Sequence, residues 1–370
     1  KHLQVIVLKI FGDESKLPRG RTETLKLCKR FLKLKEQRIK QRHRAGGSGV
    51  EICRMRSDVI DCIVRILWAE SLAALKPEIR AKIKVSVIAH GGYGRRVMSP
   101  GSDVDLTFML PVKSSEVSPE LARFIGDFLL YFYDLKFKVG QGTRSVTECI
   151  SLANEDMQTK TALMEARFLC GEQQAFKEFR ARFDKECMIG KEDAFLKLRE
   201  ADLTSRHAKH GGTHCVQEPH VKTGCGGLRD YQNLIWMSYA KHGTLNPEHL
   251  VDKGFITAAG WREVSEAYDL ILRTRNEMHY TERRASDILT LRLQGFVATN
   301  LGYRHKRILR RIEAFMRDLS RRVNHLRANA DLNWGLNFEI LDNADSVTGA
   351  STISVDSNAA LGSPVGTKHT

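Results

Sequence analysis

The sequence predicts an α+β unit with a small mixed sheet, followed by an all-α helical domain. Two short strand-like segments, KVSVIAH at 84–90 and VDLTFML at 104–110, flank a glycine-containing loop. A helix pattern at 120–135 leads to a third candidate strand, LKFKV at 135–139. The capping-box spacing SVTE at 145–148 then begins a helix, and the apolar residues beyond it recur almost wholly with helical spacing.

These patterns divide the chain into four predicted segments: a basic helical N-terminal lead at 1–80, a sheet-containing domain at 81–185, a helical domain at 186–330 and a disordered tail at 331–370. The N-terminal lead is rich in Lys and Arg, with apolar positions spaced for helices. From Asn343 the tail is a mixture of Ser, Thr, Ala, Asn and Gly, a composition that buries too little apolar surface to offset chain entropy.

Composition and net charge limit which ligands and which cellular setting the protein is expected to have. The formal net charge of +15 favours polyanions, such as nucleoside triphosphates, acidic protein surfaces or nucleic acid. Nucleic acid is the least favoured, because basic motifs interleaved with aromatic residues are missing. We expect no membrane span, because no apolar run is long enough. Eight cysteines without a CxxC pair, and no secretory signal, favour a cytoplasmic setting without disulfides.

The strongest chemical signal is the pair Asp103 and Asp105 at the start of the second strand. Residues two apart on a strand point to the same face, so the two carboxylates are predicted to lie together. Magnesium prefers oxygen ligands and is usually held by one or two carboxylates together with substrate phosphates. A DxD alone is weak evidence, because surface Asp pairs are common.

The residues before the pair supply the other parts of a phosphate-transfer site. Gly91 and Gly92 follow the first strand, where the absence of side chains lets backbone amides approach a triphosphate. Ser102 is placed to donate to a phosphate oxygen, and Arg95 and Arg96 supply positive charge. Strand, diglycine, loop, DVD and strand in this order favour nucleotidyl transfer over a simple turn.

The arrangement resembles the polymerase-beta-type nucleotidyltransferase superfamily. More narrowly, GGYGRRVMSPGSDVDLTF at 91–108 resembles the bacterial PII uridylyltransferases, as do two further segments at 206–237 and 275–303. The resemblance implies magnesium-dependent transfer of UMP from UTP to a tyrosine of the PII signalling protein, with release of pyrophosphate. It also implies that Asp103 and Asp105 bind metal, and that Gly91, Gly92 and Ser102 contact the triphosphate.

In the second segment, KTGCGGLRD, two glycines precede a helix. Lys222 and Arg229 lie near its positive end and can bind phosphate. The resemblance extends this to an active-site contribution from Arg229 and Asp230. The nearby His and Cys residues match no standard zinc-finger spacing, so zinc is not expected.

The sequence departs from the family pattern in two respects. The superfamily usually has a third carboxylate on a neighbouring strand, where this chain has Lys138, so Asp134 is the nearest acid. The full-length family also resembles a fusion with a phosphohydrolase domain and glutamine-sensing domains. Since the chain has no adjacent His-Asp pair and ends early, we expect neither removal of UMP nor a glutamine response. Two rival functions remain: a protein adenylyltransferase of the same superfamily, and a truncated, non-catalytic nucleotide-binding protein.

Overall fold

A computed structural model describes residues 7, 10–12, 17–213 and 215–342, with side chains described as far as residue 329. It contains a mixed sheet in the order β3-β2-β1-β4. Strand β1 is antiparallel to β2 and β4, whereas β2 and β3 are parallel. The predicted fold class is confirmed. The strands are β1 Ser86–Ala89, β2 Val104–Leu110, β3 Val139–Ser145 and β4 Arg167–Gly171.

Helices make up most of the described chain. They are α1 Arg21–Arg44, α2 Gly49–Ala73, α3 Pro77–Arg80, α4 Gly91–Gly94, α5 Pro119–Asp134, α6 Val146–Glu155, α7 Met157–Met164, α8 Gln174–Phe183, α9 Glu192–Lys209, α10 Leu228–His242, α11 Glu248–Asp252, α12 Ala258–Glu282, α13 Leu291–Asn300 and α14 Ile308–Asp342. The predicted capping box begins α6: the Glu148 backbone N–H donates to Ser145 Oγ, and the Glu148 carboxylate accepts from the Ser145 backbone N–H.

Alternation along the strands gives the sheet two buried faces. Val87 and Phe108 lie in a core with apolar residues of α1, α2 and α5. Ile88 and Met109 point the other way and pack with α6 to α10. The helices of the predicted N-terminal lead therefore share a core with the sheet.

The helical region packs on a third core formed mainly by α12 and α14, with α10 and α13 beside them. Helix α2 joins this core through Cys53, so it touches both halves of the molecule. The last helix continues to Asp342 and takes in residues 331–342, which we had assigned to the tail. Residues 343–370 lie outside the described part.

The third strand begins later than predicted. The segment 135–137 is the turn that follows α5, in which Lys136 adopts a left-handed φ of 65°. Strand β3 starts at Val139 and pairs Gly140 with Asp105. The alternation of apolar and basic residues at 135–139 does not reflect a strand, because the partly buried Phe137 packs against Phe132 near the end of α5 rather than in the sheet.

Within the described ranges, no helix combines the length and the apolar character that crossing a bilayer requires.

Candidate active site

A cleft of about 370 Å³ lies between the sheet and the helical region. Its walls come from the loop before β2, from α7, from the start of α10, and from α12 with the segment after it. These elements include parts of all three sequence segments that carry the family resemblance. The fold therefore brings together in one cavity residues that are far apart in the sequence.

Asp103 and Asp105 lie on the sheet side of the cleft. Val104 and Leu106 point into the core, as the alternation predicts, while Asp103 is exposed and Asp105 is half-buried. Burial raises the pKa of Asp105, and the neighbouring Asp103 carboxylate raises it further. Neither carboxylate forms an ion pair within the described part of the chain. The pair is thus a site of negative charge that lacks a protein cation in direct contact.

Glycines make room around Asp105. A Cβ atom on Gly140 of β3 would lie only 2.5 Å from Asp105 Oδ1, so a larger residue there would displace the carboxylate. Gly91 begins α4 with a φ of 54°, a conformation that glycine adopts at little cost. A Cβ on Gly91 would lie 3.7 Å from Asp105 Oδ2. The predicted diglycine is therefore next to the acidic pair.

The loop that carries Ser102 and Asp103 is held from the opposite side by α12. The Gly101 backbone N–H donates to His279 Nδ1 at 3.0 Å, and Arg275 Nη1 donates to Ser99 Oγ at 3.2 Å. A Cβ on Gly101 would lie 2.6 Å from the Ala285 nitrogen, so the loop packs closely on the segment after α12. The helical region thus fixes the position of the acidic pair.

A second network holds Arg95 at the cleft. Arg95 forms an ion pair with the buried Glu165, and Glu165 also accepts a 2.6 Å hydrogen bond from Trp236 Nε1. Both Arg95 and Arg229 lie against the Trp236 ring, with their guanidinium carbons 5.9 and 5.1 Å from its centroid. Arg95 is therefore positioned by α7 and α10 together.

Lys222 and Arg229 provide cations on the helical wall. Burial lowers the pKa of Lys222, and the nearby Arg275 lowers it further. Burial also lowers the pKa of Arg229, to about 10, with Arg95 and Arg199 as the next causes. Neither side chain forms an ion pair among the described residues. Cations that repel one another in a half-buried cleft are stabilised by an anionic ligand.

Three of the residues considered from the sequence lie elsewhere. Arg96 adopts a φ of 63° and pairs with Asp58 and Asp61. Asp134 pairs with Arg21 at 2.6 Å and does not line the cleft. Asp230 is buried and accepts from the Gly226 backbone N–H at 2.6 Å, so it supports the glycine turn before α10 rather than facing the cavity. Lys138 does line the cleft.

The His and Cys residues at 207–225 have other contacts. His207 bonds to Asp230, and Thr223 Oγ1 bridges His210 and His220 at 3.0 Å each. Part of the segment lines a separate, largely apolar cavity of about 320 Å³. Among the described residues, His, Cys, Asp and Glu form no group of three that is suited to holding a metal ion.

The cleft residues that sequence reasoning did not single out include Glu165, Gln232, Arg275 and Asp287. Arg275 donates to Asp287 Oδ1 at 2.7 Å. Burial alone would raise the pKa of Asp287, but contacts with His279 and Arg275 outweigh this and hold it well below its usual range. The sequence offered one signal, since each of these residues except Glu165 lies in a segment that resembles the family.

Comparison with known proteins identifies a family to which the chain is similar. The profile of the family described as GlnD PII-uridylyltransferase matches residues 194–332. A bifunctional uridylyltransferase/uridylyl-removing enzyme of Rhodopseudomonas palustris is 34% identical over 275 residues, which are 73% of this chain and 29% of that protein. Proteins of the same description from Erythrobacter litoralis and Bradyrhizobium diazoefficiens are 33% and 35% identical, over 80% and 70% of this chain.

The chain spans only 28% to 32% of the length of these curated relatives. The similarity nevertheless includes most of the chain, and the family profile covers the helical segments that complete the cleft. The chain therefore belongs to the PII-uridylyltransferase family, a family of nucleotidyltransferases.

Proposed function

We propose that this chain transfers UMP from UTP to a tyrosine of a PII signalling protein, with magnesium as cofactor and pyrophosphate as product. The observation that carries the proposal is that an acidic pair and a pair of cations face each other across one cleft. Asp103 and Asp105 lie on the sheet wall, while Lys222 and Arg229 lie on the helical wall. Metal-bound phosphates are the ligand that needs both kinds of charge.

The donor set fits magnesium. The two carboxylates provide oxygen ligands on one face of a strand, and the cleft has room beside them for phosphate oxygens. When bound, magnesium would stabilise charge on the phosphates and activate the attacking oxygen. Because no third acidic ligand joins the pair among the described residues, phosphate oxygens and water would complete the coordination.

The remaining residues would bind and orient the nucleotide. Lys222, Arg229 and Arg95 would hold the triphosphate by charge-assisted hydrogen bonds. Backbone amides at Gly91 and Gly92, and the Ser102 hydroxyl, would contact its oxygens. The acceptor tyrosine oxygen attacks the α-phosphorus, a new P–O bond forms, and the bond to the β-phosphate oxygen breaks. Pyrophosphate leaves with the bonding electrons, and the phenolic proton passes to solvent.

Labelled UMP transfer from UTP to a purified PII protein tests this function. We expect magnesium-dependent transfer by the parent chain. The double variant Asp103→Asn, Asp105→Asn should lower the rate by about 1000-fold or more, because it removes the metal ligands. Asp134→Asn is the matched control: it removes an acid outside the cleft, and transfer should be retained.

The same assay separates the rival functions. Transfer of AMP from ATP, with none from UTP, would identify a protein adenylyltransferase. Binding of UTP without transfer to PII or another acceptor would identify a non-catalytic nucleotide-binding protein. We favour the uridylyl reaction because the similar proteins of known description carry that activity in their names.

A further inference from the structure

Gln232 differs from the other buried amide side chains in the described region. It lies on α10, is only 5% exposed, and lines the cleft. Its carboxamide forms no hydrogen bond within the described part of the chain. Gln294, which is 3% exposed, instead donates to the Gln217 and Leu289 carbonyls at 2.7 and 3.3 Å. Unlike Asn233 Nδ2, neither amide atom of Gln232 is fully enclosed by the protein, so both are open to the cleft, where a ligand or water can satisfy them.

The position of Gln232 separates it from the phosphate-binding groups. Helix α10 begins at Leu228, and its N-terminus, with Arg229, faces the charged part of the cleft. Gln232 lies one helical turn further on, about 6 Å along the axis. It shares a helix face with Leu228 and Trp236, and α7 provides the opposite wall through Thr161.

The groups around Gln232 are already engaged with the protein. The Thr161 hydroxyl donates to the Met157 carbonyl at 2.7 Å, and Trp236 Nε1 donates to Glu165. The Gln232 carboxamide therefore has an N–H donor and a carbonyl acceptor in one plane, and both are available to a ligand in the cleft. A nucleobase edge that presents an adjacent acceptor and donor matches such a carboxamide.

We propose that Gln232 is a specificity-determining residue that binds the base of the nucleotide. Its carbonyl accepts from uracil N3–H, and its amide N–H donates to a neighbouring uracil carbonyl. The proposal rests on the proposed function, because it takes the triphosphate to lie against Asp103, Asp105, Lys222 and Arg229. It assigns the wall between α7 and α10 to the base.

Equilibrium binding tests the contact without requiring transfer. Calorimetry with magnesium would measure the affinities of UTP, UTP methylated at N3, and inorganic tripolyphosphate, for the parent and for Gln232→Ala. Methylation removes the N3–H donor. The parent should bind UTP about 10- to 100-fold more tightly than the methylated nucleotide. Gln232→Ala should bind the two nucleotides within about 3-fold of each other. Tripolyphosphate affinity should not change.

Gln294→Ala is the matched control, because it removes a buried glutamine that bonds within the protein. It should lower thermal stability yet keep the discrimination between UTP and methylated UTP. The proposal is overturned if Gln232→Ala retains the parent's penalty for methylation, or if it weakens tripolyphosphate as much as UTP. Selective binding without any transfer would support the base contact while refuting the proposed function.

Discussion

Buried charge is arranged differently in two regions of this molecule. In the Glu277 cluster, the carboxylate contacts Arg44 Nη2 at 2.7 Å, His43 Nε2 at 3.1 Å and Asn300 Nδ2 at 2.7 Å. In the cleft, Asp103 and Asp105 lie across from Lys222 and Arg229, and within the described part of the chain the acidic pair forms no ion pair. The first cluster is complete without a ligand and joins α1, α12 and α13. On the function proposed above, the second would be neutralised by a ligand that carries both a metal and phosphates.

The largest effect on stability should come from a substitution in the Glu277 cluster. Glu277→Gln leaves Arg44 and His43 without their carboxylate, and because the Arg44 side chain is 41% exposed and can be solvated, we expect a cost of about 2 kcal/mol. Denaturant unfolding should show this loss in the free energy of unfolding. A loss below about 0.5 kcal/mol would mean that the cluster does not join the helices as described.

Removing a cleft cation should weaken nucleotide binding without lowering the free energy of unfolding. Lys222→Met should weaken UTP binding by about 10- to 100-fold, because a charge-assisted hydrogen bond to phosphate is lost. Its free energy of unfolding should be unchanged or higher, since a half-buried cation without a contacting carboxylate is removed. Calorimetry on this variant measures the change in UTP affinity, and denaturant unfolding measures the change in stability. A marked loss of stability would show that Lys222 serves the fold instead.

The loop contact should have a smaller effect. His279→Ala leaves the Gly101 backbone N–H without its acceptor, and the loop that carries Asp103 becomes less well held. We expect the transfer rate constant kcat to fall by about 3- to 10-fold with little change in KM for UTP. His279→Asn provides the control, because its side-chain oxygen can accept the same hydrogen bond. Equal losses in the two variants would contradict a role in positioning the loop.

The smallest effect concerns acid stability. Burial tends to raise the pKa of Glu277, but His43 and Arg44 outweigh this and place it below the ordinary value of 4.5. A lowered folded-state pKa stabilises the protein above pH 4.5, and the contribution is lost as the pH falls through the folded value. The stability gap between the parent and Glu277→Gln should therefore be constant above pH 4.5 and narrow below it. A stability gap that widens on acidification would contradict a lowered pKa for Glu277 in the folded protein.

Local sequence patterns predicted one wall of the site well. The strand VDLTFML buries Val104 and Leu106 and places Asp105 at the cleft, because strand alternation is a local property. The diglycine also lies beside the acids. Local patterns could not show which of the two neighbouring arginines faces the cleft. Arg95 does, while the left-handed backbone at Arg96 directs its side chain towards Asp58 and Asp61.

The other wall depends on tertiary packing, which local patterns do not specify. Gln232 lies in a helix whose spacing shows only that one face is buried, and Glu165 directly follows α7. Whether a polar residue on that face meets a core, a partner or a cleft depends on which helices pack together. The third strand was misplaced for a related reason, since Phe137 packs on the end of α5 rather than in the sheet.

We propose that the opposed charges of the cleft hold a metal-bound nucleoside triphosphate. The affinity for UTP with and without magnesium, measured for the parent and for Asp105→Asn, tests this. We expect magnesium to strengthen binding to the parent by about 10-fold or more and to have little effect on the variant. Equal magnesium dependence in the two proteins would contradict it.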